Sequence, residues 1–187
     1  MSDLVQVRSA WSGPVESLFE DYEGLVDDLD GASPSGLTAL NRSYHKHLLV
    51  AAASSLEEVV KELVPTIFAS HGNHQMAAFV AKRVMARNYA QLFEWKSQTA
   101  QGFFTSFGET CANNFRRALK SDELLKIQHD AFMYLGHLRN EVVHNDYAVF
   151  SIDLTPEEII YLYRDGLAFT GRFEALIFED IETDTSI

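Results

Sequence analysis

Apolar side chains recur along the chain at intervals of three and four residues, which is the spacing of amphipathic helices. The clearest stripe runs from Leu48 to Leu63 and predicts one long helix that begins at residue 37 or 43. Weaker stripes of the same period predict further helices on either side. The predicted helical segments are a short piece over 3–11 and helices over about 14–30, 37–64, 74–93, 109–119, 122–144 and 156–178.

Turn and cap residues predict where these helices begin and end. Pro14 favours a helix start, because proline is well accepted in a first turn, and Pro65 predicts the end of the long helix. Asn73 and Ser121 are predicted N-caps. The sequence Thr-Pro-Glu-Glu at 155–158 is a capping box and predicts the start of the last helix.

Three segments predict connections between helices. GASPSG at 31–36 has loop composition, and 95–108 predicts a loop with a short turn. Residues 147–154 alternate between apolar and polar side chains, which predicts a short extended strand or a packed loop. Since no β-α alternation and no internal repeat is present, the fold class predicted is all-α: a helical bundle with a short extended segment between the last two helices.

Length and composition indicate one domain of ordinary size. The 187 residues are 47% hydrophobic, enough for a substantial core. The predicted organisation has an acidic N-terminal helical extension over 1–36, the main helical domain over 37–180 and a loose tail over 181–187.

Several protein classes are disfavoured by composition. The single cysteine, Cys111, excludes an internal disulfide and a cysteine-based zinc cluster. The longest uncharged apolar run, 48–53, is far shorter than the roughly 20 residues that span a bilayer, and no secretory leader opens the chain. We therefore expect a cytoplasmic protein without a membrane partner. The histidine pairs at 45 and 47 and at 71 and 74 are better explained as polar surface residues than as metal ligands, so no metal and no cofactor is expected.

The formal charge of −12 belongs to the two ends of the chain. Residues 1–30 carry −7 and residues 155–187 carry −6, whereas residues 31–154 carry +1 and hold all seven histidines. Acidic ends commonly keep a small protein soluble; they can also shield a site or dock a basic partner. We therefore expect the functional residues to lie in the nearly neutral middle of the chain.

The segment 132–147 predicts the end of a helix that has two different faces. At about 100° per residue one sector is apolar and core-facing, and the opposite flank carries Asn140 and His144 one turn apart, with His137 and Met133 beside them. Arg139 lies at the edge of the apolar sector, where it must extend to solvent or find a partner. The apolar sector comprises Ala131, Phe132, Leu135, Leu138 and Val142.

The residues near this helix end have the chemistry for cleaving a phosphodiester. Arg139 can donate two hydrogen bonds to a phosphate, His144 can take and return a proton near neutral pH, and Asn140 can orient either group. The competing structural interpretation is that His144 caps the helix carbonyls and Arg139 is an ion-pair partner. Gly136 costs about 1 kcal/mol relative to alanine within a helix, which suggests the close approach of another backbone.

The segment Arg139-Asn140-Glu141-Val142-Val143-His144 resembles the R-x4-6-H motif of the HEPN superfamily, in which the residue after the arginine is usually Asn, Asp or His. The stretch around the long helix and the LFxxFG-like segment at 104–108 resemble the branch of these domains linked to RNA processing and toxins. The likeness covers roughly residues 40–180.

This resemblance implies a metal-independent endoribonuclease whose catalytic residues are Arg139, Asn140 and His144. His144 would act as a general base or acid, Arg139 would stabilise the phosphorane charge, and cleavage would leave a 2′,3′-cyclic phosphate. It further implies a homodimer with a composite active site, and Gly136 and the polar flank fit such a contact. RNA is the expected partner, with an antitoxin or another operon product as a further partner in a toxin-antitoxin or phage-defence setting.

Other residues are assigned to substrate binding or support. One of Glu57 and Glu58 is a candidate partner for Arg139. The alternative function is a non-catalytic HEPN domain that binds RNA, a nucleotide or a partner protein; a third is a helical interaction protein of such an operon. The substrate-binding candidates are Asn145 and His137, with the basic residues Lys82, Arg83, Arg87, Arg116, Arg117 and Lys120.

Overall fold

The computed structural model describes residues 3–147 and 150–178, and this part of the chain is almost entirely helical. Its only β-type pairing is an isolated antiparallel bridge between Glu94 and Thr99, so the predicted all-α helical bundle is confirmed. The helices are α1 (Asp3–Leu29), α2 (Pro34–Ser70), α3 (His74–Phe79), a π-helical segment (Val80–Met85), α4 (Ala86–Leu92), α5 (Gln101–Thr105), α6 (Glu109–Ser121), α7 (Glu123–His144), α8 (Pro156–Thr170) and α9 (Phe173–Phe178).

Helix α2 is the centre of the bundle and packs against α1, α7 and α8. Its apolar stripe is completely enclosed, with Leu48, Val60 and Ile67 all at 0% exposure. On the other side of the core, aromatic rings from α5, α6, α7, α8 and α9 pack against one another, for example Phe104 on Phe115 at 4.1 Å between ring centroids. Helix α7 packs against both this aromatic cluster and α2.

Two prolines lie inside helices, contrary to the prediction that they would mark helix ends. Pro14 is inside α1 and Pro65 is inside α2. An internal proline costs about 3 kcal/mol or more. Continuing α2 past Pro65 buries Ile67 completely and packs Phe68 against the core, and each buried large apolar side chain returns about 1.5–3 kcal/mol. Burial beyond the proline therefore outweighs the lost hydrogen bond.

Of the other predicted helix boundaries, two are confirmed and the rest are corrected. Asn73 caps α3, and the box at 155–158 opens α8, as predicted. The cap of α7 is Asp122, which accepts from Leu125 N at 2.9 Å, and not Ser121, which ends α6. The predicted loop at 95–108 contains α5, and the predicted last helix is divided by a turn at 171–172 into α8 and α9.

Some predictions fall partly outside the described residues. The extended segment at 147–154 forms no strand in its described part, and residues 148–149 and the tail at 181–187 lie outside the described residues.

Helix α1 contributes Val15 and Phe19 to the common core, and Arg164 of α8 binds both carboxylate oxygens of Glu16. The division at residue 36 stays a prediction. Among the described helices, none combines the length and apolar character needed to cross a bilayer.

Candidate functional site

The predicted catalytic residues all lie in the last two turns of α7, which ends at His144. Asn145 terminates the helix, because its side-chain Nδ2 donates to Glu141 O at 2.7 Å and its backbone N donates to the same oxygen at 3.1 Å. Asn145 is thus engaged by the helix end in this structure. Its role in substrate binding stays a prediction.

The α7 flank predicted to be polar differs from expectation at two positions. Met133 is fully buried and belongs to the core. Gly136 is covered by the indole of Trp95 from the same chain, and a Cβ built on Gly136 would overlap that ring. The glycine is therefore explained by a side chain packed on α7, and the interpretation of Gly136 as a contact between protomers is no longer needed.

Arg139 and Asn140 form one unit. Arg139 Nη1 donates to Asn140 Oδ1 at 3.2 Å, and both side chains are half-buried. They line a small cavity of about 30 Å³, which has room for one or two water molecules. The lining residues are Ala53, Glu57, Tyr89, Ala90, Trp95, Gly136, Arg139 and Asn140.

The acidic partner expected for Arg139 is engaged elsewhere. Glu57 lines the same cavity, yet its carboxylate pairs with Lys61 Nζ at 2.5 Å, and Glu58 pairs with the same amine at 3.0 Å. No ion pair of the described residues includes Arg139. Because both carboxylates pair with Lys61 rather than with Arg139, the guanidinium keeps donors for a ligand.

Tyr89 is the other polar group beside Arg139. Burial raises the pKa of its phenol well above the ordinary value, and the neighbouring Glu57 raises it further. The positive charge of Arg139 acts in the opposite direction on the pKa. The phenol is therefore a neutral hydrogen-bonding group at physiological pH, and it cannot compensate the guanidinium charge.

His144 is exposed, and no hydrogen bond or ion pair of the described residues engages its imidazole. Helices α2 and α7 run antiparallel, since Glu57 shares a cavity with Arg139 while Lys46, three turns earlier in α2, contacts Tyr147 just after α7. His144 therefore opens to the surface at this end of the α2–α7 pair. His137, one turn after Met133, is half-buried and lies outside the residues that line the cavity.

Lys46 holds the chain where it leaves the motif. Lys46 as a whole is only 8% exposed. Its Nζ donates to Tyr147 O at 2.8 Å and lies 5.4 Å from the centre of the Tyr147 ring. The imidazole of His47 meets the same ring edge-on, with 6.3 Å between ring centroids. The segment after His144 is thus attached to α2 rather than free.

The two predicted basic clusters lie in different places. Arg87 is in α4, one turn before the cavity residue Ala90, and Lys82 and Arg83 precede it in the π-helical segment; all three are exposed. The other cluster lies near the opposite end of α7, because Lys120 is in α6 three residues before α7 begins, and Arg139 lies about 24 Å along α7 from its first residue. Arg116 and Arg117 bind the amide oxygens of Asn113 and Asn114 at 2.8 and 3.0 Å. The structure thus brings only the first cluster near the motif.

No group of three or more His, Cys, Asp or Glu side chains in the described residues is arranged to hold a metal ion. The buried histidine of α7, His129, is engaged on both nitrogens: Nε2 accepts from Ala100 N at 3.2 Å and Nδ1 contacts Asp130 Oδ1 at 2.8 Å. Burial lowers the pKa of His129 despite the opposing effect of Asp130. This imidazole is therefore a neutral structural group.

Sequence reasoning missed four residues of this region, namely Lys46, Lys61, Tyr89 and Trp95. Glu57 and Lys61 are four residues apart, and this spacing alone indicates an ion pair on one helix face. No comparable local signal marks Tyr89, Trp95 or Lys46, because each meets the site across a long stretch of sequence.

Comparison with known proteins identifies the family of this chain. The family model described as RiboL-PSP-HEPN matches residues 15–178. A search of curated proteins and a search of solved structures each found no match. The matched range begins inside α1 and includes the whole of α7 with its Arg139-to-His144 motif. The chain therefore belongs to the RiboL-PSP-HEPN family, within the HEPN superfamily.

Proposed function

We propose that this protein is a metal-independent endoribonuclease. Membership of a HEPN family supports a nuclease-related or RNA-associated role. The observation that carries the finer proposal is the unit of Arg139 and Asn140: a guanidinium without an acidic partner among the described residues, held by an amide, one turn from an exposed imidazole. These are the groups that phosphodiester transfer needs for charge stabilisation and proton transfer.

In the proposed reaction the ribose 2′-oxygen attacks the adjacent phosphorus while His144 accepts the 2′-hydroxyl proton. Arg139 donates hydrogen bonds to the non-bridging oxygens, on which negative charge grows in the transition state. The bond between phosphorus and the 5′-oxygen breaks, and a proton from a second imidazole or from water goes to that oxygen. The products are a 2′,3′-cyclic phosphate end and a 5′-hydroxyl end.

A composite site supplies the second imidazole in this proposal. His144 is exposed and lies beside a cavity too small for a nucleotide, so a single protomer presents one edge of a cleft rather than a closed pocket. Two α7 ends facing each other would bring two Arg139 and two His144 side chains to one phosphate. The exposed cations Lys82 and Arg83 of the π-helical segment and Arg87 of α4 would then continue the RNA-binding surface.

The second candidate is a HEPN domain that binds RNA, a nucleotide or a partner protein without cleaving it. This function does not require a second imidazole, whereas the proposed cleavage relies on a composite cleft because the cavity of about 30 Å³ in one protomer admits water and little else. We place either function in the cytoplasm and in a toxin-antitoxin or phage-defence setting, with an antitoxin or operon partner, as further parts of the proposal.

The deciding experiment incubates total RNA and a labelled oligonucleotide with the protein in EDTA. Wild type is compared with His144→Ala and with His74→Ala, which alters an exposed histidine at the start of α3, remote in sequence from the motif. Cleavage by wild type and His74→Ala, with cyclic phosphate ends and no cutting of the matching DNA, is the expected result. Comparable DNA cleavage, or full activity of His144→Ala, would overturn the mechanism.

RNA binding without cleavage by the folded wild type would instead favour the binding domain. Circular dichroism and sedimentation of each variant establish that the comparison is between folded proteins of one oligomeric state.

A further inference from the structure

A second surface of the molecule, separate from the Arg139 cavity, has the character of a docking groove. It lies between the end of α2 and the helical stretch from α3 to α4 and has a volume of about 380 Å³. Its walls are apolar, and Ser106 is the polar side chain among those that line it. We call it the π groove; the lining residues used below are Phe68, Met76, Val80, Val84, Met85 and Phe107.

The π-helical segment Val80–Met85 shapes one wall of this groove. In a π-helix one turn takes more residues than in an α-helix, so neighbouring side chains are rotated away from their regular positions. Here Val80, Val84 and Met85 all face the groove. Single π turns within α-helices are rare and concentrate at functional sites, which makes this wall more than an ordinary packing defect.

The groove adjoins apolar surface that is costly to leave in water. Met76 is 42% exposed, and Phe79, one turn later, is 58% exposed. Large exposed apolar patches on a folded domain mark contact sites for a ligand or a protein. The two lining methionines are flexible and polarisable, as in grooves that accept helices of varied sequence.

Charge indicates what kind of partner fits. The chain carries −12 overall, yet the stretch 64–93, which supplies most of the groove, contains no Asp or Glu. It contains Lys82, Arg83 and Arg87, all exposed and absent from the ion pairs of the described residues. Arg83 directly precedes the lining residue Val84, and Arg87 follows the lining residue Met85 by two positions, so cations lie beside the lining residues in the same helical stretch. Such a surface complements a segment with an apolar stripe and acidic flanks.

The shape and lining of the groove indicate whether it binds a helix, a strand or a polar ligand. A strand needs a free sheet edge, and the described residues offer only the bridge between Glu94 and Thr99. A polar small molecule or a nucleic acid needs donors inside the groove, where Ser106 alone is polar. An apolar groove bounded by helices accepts the apolar face of another helix. We propose that the π groove binds an amphipathic helix with acidic flanks, supplied by a partner protein.

The test uses two labelled synthetic helical peptides of about 18 residues, roughly 27 Å long. Both carry the same leucine stripe; one has glutamate flanks and the other lysine flanks. Fluorescence anisotropy without RNA measures their affinity for the full chain, so the result does not depend on the nuclease proposal. The acidic peptide should bind with a dissociation constant that rises with salt, and the basic peptide should bind at least about tenfold more weakly.

Variants locate the binding surface. Met76→Gln keeps the length of the side chain but places an amide in the groove, and it should weaken the acidic peptide by about tenfold. Arg83→Glu should weaken the acidic peptide and strengthen the basic one. Arg116→Glu changes an exposed arginine of the other basic cluster and should change neither. Met76 and Arg83 are exposed, so these variants should fold, and thermal unfolding verifies it.

Any of three peptide-binding results would overturn the proposal: equal affinity for the two peptides, no saturable binding of the acidic peptide, or full affinity in Met76→Gln. A wild-type dimer that Met76→Gln converts to monomer in sedimentation equilibrium would assign the groove to a second copy of the chain, and it would overturn the proposal as well.

Discussion

The indole of Trp95 packs directly on the α7 backbone at Gly136, with no space between them for a Cβ. Trp95 also donates its indole N–H to Ala90 O at 3.0 Å and packs on Phe132, so the ring is held from several sides. One turn of α7 further on lie Arg139 and Asn140, which share the cavity that Trp95 lines. The packing of one ring thus determines the shape of the candidate site.

Gly136→Ala is expected to destabilise the protein. Overpacking in a core typically costs about 1–3 kcal/mol, and the gain in helix propensity of about 1 kcal/mol offsets only part of it. Urea unfolding measures the difference. Gly24→Ala is the matched control, because Gly24 lies in α1 with open space around it. This substitution should stabilise the protein by up to about 1 kcal/mol. Stabilisation of both variants would contradict the described position of Trp95.

Arg139→Lys should lower the rate of RNA cleavage while leaving the protein folded. Lysine keeps the charge but loses the planar fork, of which one branch binds Asn140 and the other remains for phosphate. We expect kcat to fall by about 10²–10³-fold with little change in KM, as for removal of a transition-state donor. Single-turnover cleavage measures this, and Arg164→Lys is the control, because this exposed arginine pairs with Glu16 of α1 and is not a substrate-binding candidate. A change confined to KM would indicate binding without a catalytic role.

Lys46→Met should loosen the segment that follows His144. The change removes the hydrogen bond from Nζ to Tyr147 O and the contact with the Tyr147 ring. Because Tyr147 is itself exposed, water can replace part of what is lost, and we expect about 1 kcal/mol of destabilisation. Lys126→Met is the control, since that lysine forms only an exposed pair with Asp130. Equal urea curves for both variants would show that the Lys46 contact is not stabilising.

Acid should destabilise the fold through His129. Its pKa is lowered in the folded state by burial, so between that lowered value and its ordinary value of 6.5 the unfolded chain binds the proton more readily. The contribution of His129 is therefore complete above about pH 6.5 and declines as the pH falls further, by at most about 1.4 kcal/mol per pH unit.

Urea unfolding as a function of pH tests this expectation. His129→Gln should give a flatter curve below pH 6.5, because glutamine can still accept from Ala100 N but does not titrate. His74→Gln, at an exposed position at the start of α3, should keep the wild-type curve. An unchanged slope in His129→Gln would show that another group causes the acid sensitivity.

Predictions from the sequence were accurate where all the interacting groups are close along the chain. The capping box at Thr155 was predicted correctly because its two hydrogen bonds join residues three apart. The core stripe of α2 follows from periodicity alone. Pro65 was interpreted wrongly because its effect depends on apolar burial further along α2, which local rules do not include.

What the sequence determined by itself is the all-α fold and the placement of Arg139, Asn140 and His144 on the last turns of one helix, because helical periodicity and motif spacing are local properties. Tertiary structure decided which groups surround them. Trp95 covers Gly136, Lys61 rather than Arg139 takes the carboxylate of Glu57, and Lys46 holds Tyr147 from 101 residues away. Partners of this kind compete for the same charges and the same space, and only the packed fold determines which of them make contact.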